Sequence, residues 1–145
     1  MREPTIPLEP LLLGLAGLIP FAGLSAALAF APSSAPDDAV RILVLYAAVI
    51  LSFMGGVHWG LALRQAPGTS FAASVVPSLM AWAAAGFFDS RTALITMATG
   101  FLVLLAYDIK VVRASGAPEW YRPLRIGLTT GVVLSIANAV LSVPG

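Results

Sequence analysis

Five long runs of uncharged, mostly apolar residues dominate the chain. Each run holds about 16 to 27 residues, and a helix needs roughly 20 apolar residues to cross about 30 Å of hydrocarbon. Apolar residues follow one another without alternation, which predicts helices and not the strands of a barrel. The sequence therefore predicts an all-α polytopic membrane protein, a five-transmembrane-helix bundle. The runs lie between Glu9 and Asp37, between Arg41 and Arg64, between Arg64 and Asp89, between Arg91 and Asp108, and after Arg125.

The segments between the runs are short and rich in proline, glycine, serine and aspartate, which is typical of turns. None is long enough to hold an extramembrane domain. We therefore expect one transmembrane domain over 1–145, with helices at about 9–31, 39–63, 70–88, 92–113 and 120–143.

Composition supports the membrane assignment and excludes several kinds of metal and cysteine site. The chain is 59% hydrophobic and 10% charged, whereas soluble domains carry about 45–50% apolar and about 25% charged residues. A net charge of +1 does not favour a nucleic-acid partner. The chain has no cysteine and one histidine, so it offers no thiolate site and no multi-histidine metal cage. The sequence assigns no metal and no cofactor.

The distribution of Lys and Arg predicts the orientation. With five spans, the side that holds the N-terminus carries six basic residues and the other side two. The N-terminus is therefore expected in the cytoplasm and the C-terminus in the periplasm. The six residues are Arg2, Arg64, Lys110, Arg113, Arg122 and Arg125, and the two are Arg41 and Arg91.

The first run is also compatible with a cleaved secretory signal, because Ala27-Leu28-Ala29 matches a small-residue cleavage site. Two features oppose cleavage. Glu3 and Glu9 offset the positive charge of Arg2, and the run is longer than the usual h-region of about 7–15 residues.

Small residues four positions apart predict close helix contacts in lipid. The second helix carries Ser52, Gly56 and Gly60 at this spacing, and we expect it to lie at the centre of the bundle. At 100° per residue, His58 points away from Gly56 and therefore off this line of small residues.

Two ionisable residues lie inside apolar runs, where such residues are candidates for a functional site. His58 lies about 9 Å inside the cytoplasmic interface, counted from Arg64 at about 1.5 Å per residue. Asp108 lies at a comparable depth on the fourth helix, so the two are expected to be close. The candidate ligand-binding residues at this level are His58, Trp59, Tyr107, Asp108, Trp120, Tyr121, Arg122 and Arg125.

Structural roles remain open for the same residues. Asp108 can pair with Lys110, Arg113 or Arg125 at the interface. His58 can be a hydrogen-bonded tether between helices. Trp120 and Tyr121 can be ordinary anchors of the aromatic belt.

The sequence contains no phosphate loop, no G-x-S-x-G and no H-E-x-x-H. These absences favour a non-enzymatic accessory, assembly or lipid- or quinone-binding subunit, with the bilayer, a lipid or quinone, or another membrane protein as partner. The alternative is a small transporter or proton-coupled channel that uses His58 and Asp108. An enzyme acting on a lipid-like substrate is the third hypothesis.

An ordered set of motifs spans the chain from about residue 11 to 140: GLIPF at 17–21, YAAVILSFMGGVHWG at 46–60, VPSL at 76–79 with Trp82, Tyr107-Asp108, and Trp120-Tyr121-Arg122 with Leu124-Arg125. With these motifs the chain resembles an uncharacterised family of small bacterial inner-membrane proteins related to mitochondrial transmembrane protein 69. The resemblance implies a membrane location, implies no activity, and directs attention to His58, Trp59, Asp108, Trp120 and Tyr121.

The charged residues distinguish between the two membranes that this resemblance suggests. The chain has seven arginines to one lysine, as expected from a GC-rich bacterial genome. It also lacks an Arg-rich, acid-poor transit peptide. Both features favour a bacterial inner membrane over a mitochondrion.

Overall fold

The computed structural model describes residues 5–31, 38–115 and 117–143, and the side chains of all of these except 112–115. Arg2, the side chain of Arg113 and most of the turn expected before the second helix lie outside this range. The described chain forms five helices: α1 Leu8–Phe30, α2 Ala39–Leu63, α3 Phe71–Phe87, α4 Ser90–Ser115 and α5 Tyr121–Ser142.

Four of these helices, α1, α2, α4 and α5, are long and apolar enough to cross a membrane. The remaining helix, α3, is apolar but has 17 residues. At 1.5 Å per residue it extends about 26 Å, which is the lower limit for a span. The prediction of an all-α, multi-pass helix bundle is confirmed.

The second and fourth helices lie at the centre of the bundle. α2 packs against α1, α3 and α4, and α4 packs against α2, α3 and α5. α5 also packs along α1, which closes the arrangement on that side. The central position expected for the second helix is therefore observed.

The three helices that form most of the core each present one buried stripe with three- and four-residue spacing, as helix packing requires. The apolar part of each stripe gives way to polar residues at the same end of the bundle. The stripes are Leu43, Ala47, Leu51, Gly55, His58 and Ala62 on α2; Leu94, Met97, Phe101, Leu104, Asp108 and Val111 on α4; and Arg125, Thr129, Val132, Ile136 and Ala139 on α5.

Hydrogen bonds from Tyr46 and Asn138 and one aromatic cluster fix α1 to this core. The Tyr46 hydroxyl donates to the Gly17 carbonyl at 3.0 Å, and the Asn138 side chain donates to the Ser25 carbonyl at 3.0 Å. The fully buried Phe21 packs edge-on against the rings of Tyr46 and Phe101.

The short connection between α3 and α4 carries a helix cap outside the apolar spans. The carboxylate of Asp89 accepts hydrogen bonds from the backbone N–H groups of Arg91 and Thr92, at 3.1 and 3.0 Å. Hydrogen bonds from Thr92 hold the pKa of Asp89 below its usual value, because they stabilise the charged carboxylate. With this cap, only Phe88 and Asp89 separate the end of α3 from the start of α4.

The prediction that Gly56 lies in a close helix contact is wrong. Gly56 and Gly60 are exposed, and a Cβ added to either would have no heavy atom within 4 Å. The close contact is made by Gly55, where an added Cβ would lie 2.5 Å from the carbonyl oxygen of Ser74 on α3. The buried stripe of α2 passes through Gly55 and His58. His58 points away from Gly56, as expected, and therefore lies on the face that makes the close contact.

Gly55→Leu is expected to lower the stability of the bundle, whereas Gly56→Leu is not. At Gly55 the new side chain meets the backbone of α3, which cannot rotate away, and overpacking of this kind costs about 1–3 kcal/mol. The adjacent Gly56→Leu is the matched control, because it makes the same substitution on the exposed face. Thermal unfolding in detergent measures both, and equal midpoints for the two variants would contradict this assignment of faces.

Candidate functional site

Three buried ionisable side chains from three helices meet at one end of the bundle. Asp108 lies between the other two: its Oδ1 is 2.5 Å from Nε2 of His58, and its Oδ2 is 2.6 Å from Nε of Arg125. The exposed fractions are 0% for His58, 2% for Asp108 and 7% for Arg125. Together with the buried Thr129, these residues are called the polar cluster below.

The helix directions explain why these residues meet. His58 lies near the C-terminal end of α2, Asp108 near the C-terminal end of α4, and Arg125 in the second turn of α5. In an up-and-down bundle these three helix ends lie on the same side of the membrane. The proximity of His58 and Asp108 expected from their depth in the sequence is observed.

The hydrogen bonds of the polar cluster are incomplete. Arg125 donates from Nε to Asp108, and from Nη1 to the Thr129 hydroxyl at 3.4 Å. Nε2 of His58 is in direct contact with the Asp108 carboxylate but does not form a well-aligned hydrogen bond with it. Neither Nδ1 of His58 nor Nη2 of Arg125 has a partner among the side chains that the structure describes.

Incomplete bonding of buried groups is informative because most buried polar atoms in proteins have a partner. A buried charge is expensive in a membrane unless it is paired. The carboxylate of Asp108 offsets the charge of Arg125, which makes the burial of both tolerable. What remains unsatisfied is Nδ1 of His58 and Nη2 of Arg125, and the donors on Nη2 can take an acceptor from a ligand.

Two tyrosines border the polar cluster. The ring of Tyr107 lies 4.8 Å from the ring of His58, and its hydroxyl donates to the carbonyl of Gly68 in the α2–α3 connection at 3.0 Å. On the other side, Tyr121 and Arg122 line a small depression with Asp108 and Arg125. This depression is too small for a water molecule, so the groups around it are packed.

The remaining candidates from the sequence lie further away. Trp59 is 45% exposed and packs edge-on against Phe71 of α3. Trp120 is half-buried and packs against the ring of Tyr121, and the side chain of Arg122 is exposed. The structure thus brings together His58, Asp108 and Arg125, places Tyr107, Tyr121 and Arg122 at their border, and leaves Trp59 and Trp120 outside.

A groove of about 370 Å³ leads from the lipid-facing surface to the polar cluster. Its floor near the cluster is formed by Arg125 and Thr129, and Arg125 is the one charged residue among those that line it. Its outer edge includes Leu13 and Phe53, which are both largely exposed. The full lining comprises Pro10, Leu13, Gly14, Gly17, Leu18, Phe21, Ile50, Phe53, Met54, Phe101, Arg125, Leu128, Thr129 and Val132.

Sequence reasoning missed Thr129 and the groove. Thr129 could have been found, because it follows Arg125 by four residues and so shares its helix face. The groove could not, because its walls are ordinary apolar residues and glycines, and their sequence does not show how the helices that carry them are spaced. A second cavity of about 280 Å³ between α3 and α4 has an almost entirely apolar lining.

The five apolar helices and the buried polar cluster define a polytopic, all-α membrane protein. The chain belongs to the family described as Protein of unknown function (DUF3429), whose model matches residues 6–141. This match confirms the family resemblance that the motifs predicted.

Curated relatives carry the same name in two vertebrates. The chain is 35% identical over 142 residues to Transmembrane protein 69 of Xenopus tropicalis, covering 94% of this chain and 55% of that protein. It is 30% identical over 141 residues to Transmembrane protein 69 of Mus musculus, covering 93% and 56%. The chain therefore spans about half the length of these relatives. No solved structure matches the chain.

Proposed function

We propose that this protein is a non-enzymatic accessory protein that binds a lipid- or quinone-like amphiphile in the groove between α1, α2 and α5. The observation that carries the proposal is the combination of an apolar groove with a buried cation at its floor. The buried Arg125 lines the groove, and so do exposed apolar residues such as Leu13 and Phe53. An amphiphile in the bilayer can enter such a groove sideways without leaving lipid.

The size and chemistry of the groove support this proposal. Small-molecule sites are apolar clefts of about 300–1,000 Å³ with a few placed polar groups, and the groove of about 370 Å³ lies within this range. A bulk polar solute would find almost no hydrogen-bonding groups along its walls. The polar end of an amphiphile, in contrast, would meet Arg125 and Thr129 while its tail remained among apolar side chains.

The contacts of Asp108 argue against an enzyme. Both of its carboxylate oxygens are in contact with a basic side chain, one with His58 and one with Arg125. A general base must reach the proton that it abstracts, and neither Asp108 nor His58 lines the groove. Asp108 and His58 are therefore better placed to hold Arg125 in position than to perform chemistry on a ligand.

A proton-coupled transporter is the second candidate, because His58 and Asp108 are buried titratable groups in direct contact. On α4, however, the buried side chains of Leu104, Phe101 and Met97 lie between Asp108 and the opposite side of the membrane. A transported ion would have to displace this packed layer. Flux in proteoliposomes that depends on pH and is abolished in His58→Ala would favour transport over binding.

The experiment that tests the proposed function uses native mass spectrometry of the full chain in mild detergent. We expect the wild-type protein to retain a co-purified amphiphile. Gly17→Leu should lose it, since Gly17 lines the groove and an added Cβ there has no neighbour closer than 4.0 Å. Gly23→Leu is the matched control on the same helix, because Gly23 is exposed and away from the groove.

Two results of this experiment would count against the proposed function. One is a wild-type protein that carries no amphiphile even after incubation with an extract of membrane lipids. The other is a bound molecule that Gly17→Leu and Gly23→Leu retain equally, because that molecule would occupy a surface other than the groove.

We further propose that the N-terminus lies in the cytoplasm of a bacterium and the C-terminus in the periplasm, so that the polar cluster lies in the cytoplasmic leaflet. Arg125 is buried and paired, so it no longer counts as a loop charge, and the bias becomes five basic residues against two. This bias still favours the same orientation.

A reporter fused after Gly145 tests this orientation. A periplasm-active reporter such as alkaline phosphatase is expected to give signal, and a cytoplasm-active reporter such as a fluorescent protein that requires cytoplasmic folding is not. The same pair of reporters fused within the α2–α3 connection should give the opposite pattern. Reversed patterns at both positions would overturn the orientation.

A further inference from the structure

We propose that the groove selects an uncharged amphiphile whose polar end carries a carbonyl oxygen, as in quinones and esters, over an acidic amphiphile. This inference rests on the proposed function and names the ligand class of the same groove. Its basis is the charge and the hydrogen-bonding capacity of the groove floor.

The first argument is charge balance. Arg125 is the one charged residue among those that line the groove, and Asp108 already neutralises it at 2.6 Å. A carboxylate or phosphate that entered the groove would therefore meet an ion pair of zero net charge. Burying a charge is costly unless an opposite charge is free to pair with it. Arg125 is already paired, so an acidic head group gains little from it.

The second argument is the kind of hydrogen bond that the floor can still make. A guanidinium carries five N–H donors and no acceptor, and two nitrogens of Arg125 already donate, to Asp108 and Thr129. Its Nη2 has no acceptor among the described side chains. The carboxylate of Asp108 and the hydroxyl of Thr129 are both engaged as acceptors. Arg125 therefore retains donor capacity at the groove, and a carbonyl oxygen is a neutral group that can accept from it.

The third argument is shape. The groove passes from the exposed Leu13 and Phe53 inward to Arg125, and its walls between these points are apolar. A quinone ring or a fatty ester would place its oxygen at Arg125 and its carbon chain along the walls. The chain would then leave the groove at its lipid-facing edge, where tail length is not restricted.

The test compares a neutral ester and an acid that share one tail, and adds a quinone as a third probe. Methyl oleate and oleate share one tail, and decylubiquinone carries its carbonyl groups on a ring. Binding of each radiolabelled probe to the full chain in detergent micelles is measured by equilibrium dialysis at neutral pH. We expect methyl oleate, decylubiquinone or both to bind about tenfold more tightly than oleate, which corresponds to about 1.4 kcal/mol. Which of the two neutral probes binds identifies an ester lipid or a quinone as the source.

Arg125→Lys separates the role of the guanidinium from the charge. Lysine keeps a cation beside Asp108 but loses the planar set of donors. Since a hydrogen bond from a charged donor is stronger than one between neutral groups, we expect the variant to bind the neutral probe roughly tenfold or more weakly. Its thermal unfolding in detergent shows whether the fold is retained.

Each remaining outcome is decisive. Oleate binding as tightly as methyl oleate, or more tightly, overturns the inference but leaves the groove as an amphiphile site. Unchanged binding of the neutral probe by a folded Arg125→Lys variant also overturns it. If no probe binds and no amphiphile co-purifies, the proposed function itself fails.

Discussion

Replacing Asp108 by alanine is expected to lower the free energy of unfolding by about 3–5 kcal/mol, because it removes the common partner of two buried basic side chains. Arg125 would be left as an uncompensated charge 7% exposed, and the closest acceptor of its Nε would be gone. The measurement is unfolding in mixed micelles of SDS and a mild detergent. Lys110→Ala is the matched control, since Lys110 is exposed on the same helix and its removal should change little.

Removing both charges should recover most of this loss. In Asp108→Leu with Arg125→Met, two side chains of similar volume replace the ion pair, and such replacements in buried sites are often neutral or stabilising. His58 then loses its contact with Asp108. A double variant no more stable than Asp108→Ala, or an alanine variant as stable as Lys110→Ala, would show that the pair does not hold the helices together.

The expected recovery bears on why the polar cluster exists. If apolar side chains can fill the same space at equal stability, the bundle does not need the ion pair in order to fold. The pair then requires another explanation, and the contact of Arg125 with the groove supplies one. Asp108 holds the guanidinium by its Nε, which leaves Nη2 free of a partner among the described side chains.

The fold class follows from the sequence for a physical reason. In lipid the backbone must satisfy its own hydrogen bonds, so long apolar runs have few structures to choose from. The five uncharged runs therefore predict five helices, and the charged residues between the runs predict the positions of the connections. Nothing comparable limits how the helices are rotated about their axes.

Gly55 and Gly56 illustrate this lack of information about rotation. Both are glycines in one apolar run, and small-residue spacing favours Gly56, which is exposed, over Gly55, which makes the close contact. In a soluble helix, polar residues would mark the outer face. Here lipid tails are as apolar as the core, so both faces of α2 carry the same kinds of residue and the spacing alone does not distinguish them.

The sequence predicts that His58 and Asp108 form the centre of the candidate site, but it does not predict that Arg125 is buried beside them. His58 and Asp108 are conspicuous because ionisable residues are rare inside apolar runs. The sequence counts Arg125 both among the flanking charges and among the candidate site residues, and arginines near the ends of spans usually extend toward water. Its burial depends on Asp108 lying opposite on α4. The sequence leaves Lys110, Arg113 and Arg125 open as partners of Asp108, and the packing of α5 against α4 selects Arg125.

The aromatic contact of α1 gives the second large expected effect. Phe21 is fully buried, and its ring lies 5.0 Å from the ring of Tyr46 and 6.0 Å from that of Phe101. It thereby joins α1 to α2 and α4. Few other residues of α1 are buried, so the position of this helix, and with it one wall of the groove, depends strongly on this side chain.

Phe21→Ala is expected to lower the free energy of unfolding by about 2–3 kcal/mol. In water-soluble proteins the loss is about 3–5 kcal/mol and combines a transfer term with a cavity term. In a membrane the transfer term is small, because lipid is as apolar as the core, so the lost packing contacts supply most of the effect. Phe30→Ala, on the same helix but 84% exposed, should cost far less. Unfolding in mixed micelles compares the two, and equal losses would mean that α1 is not held by this aromatic cluster.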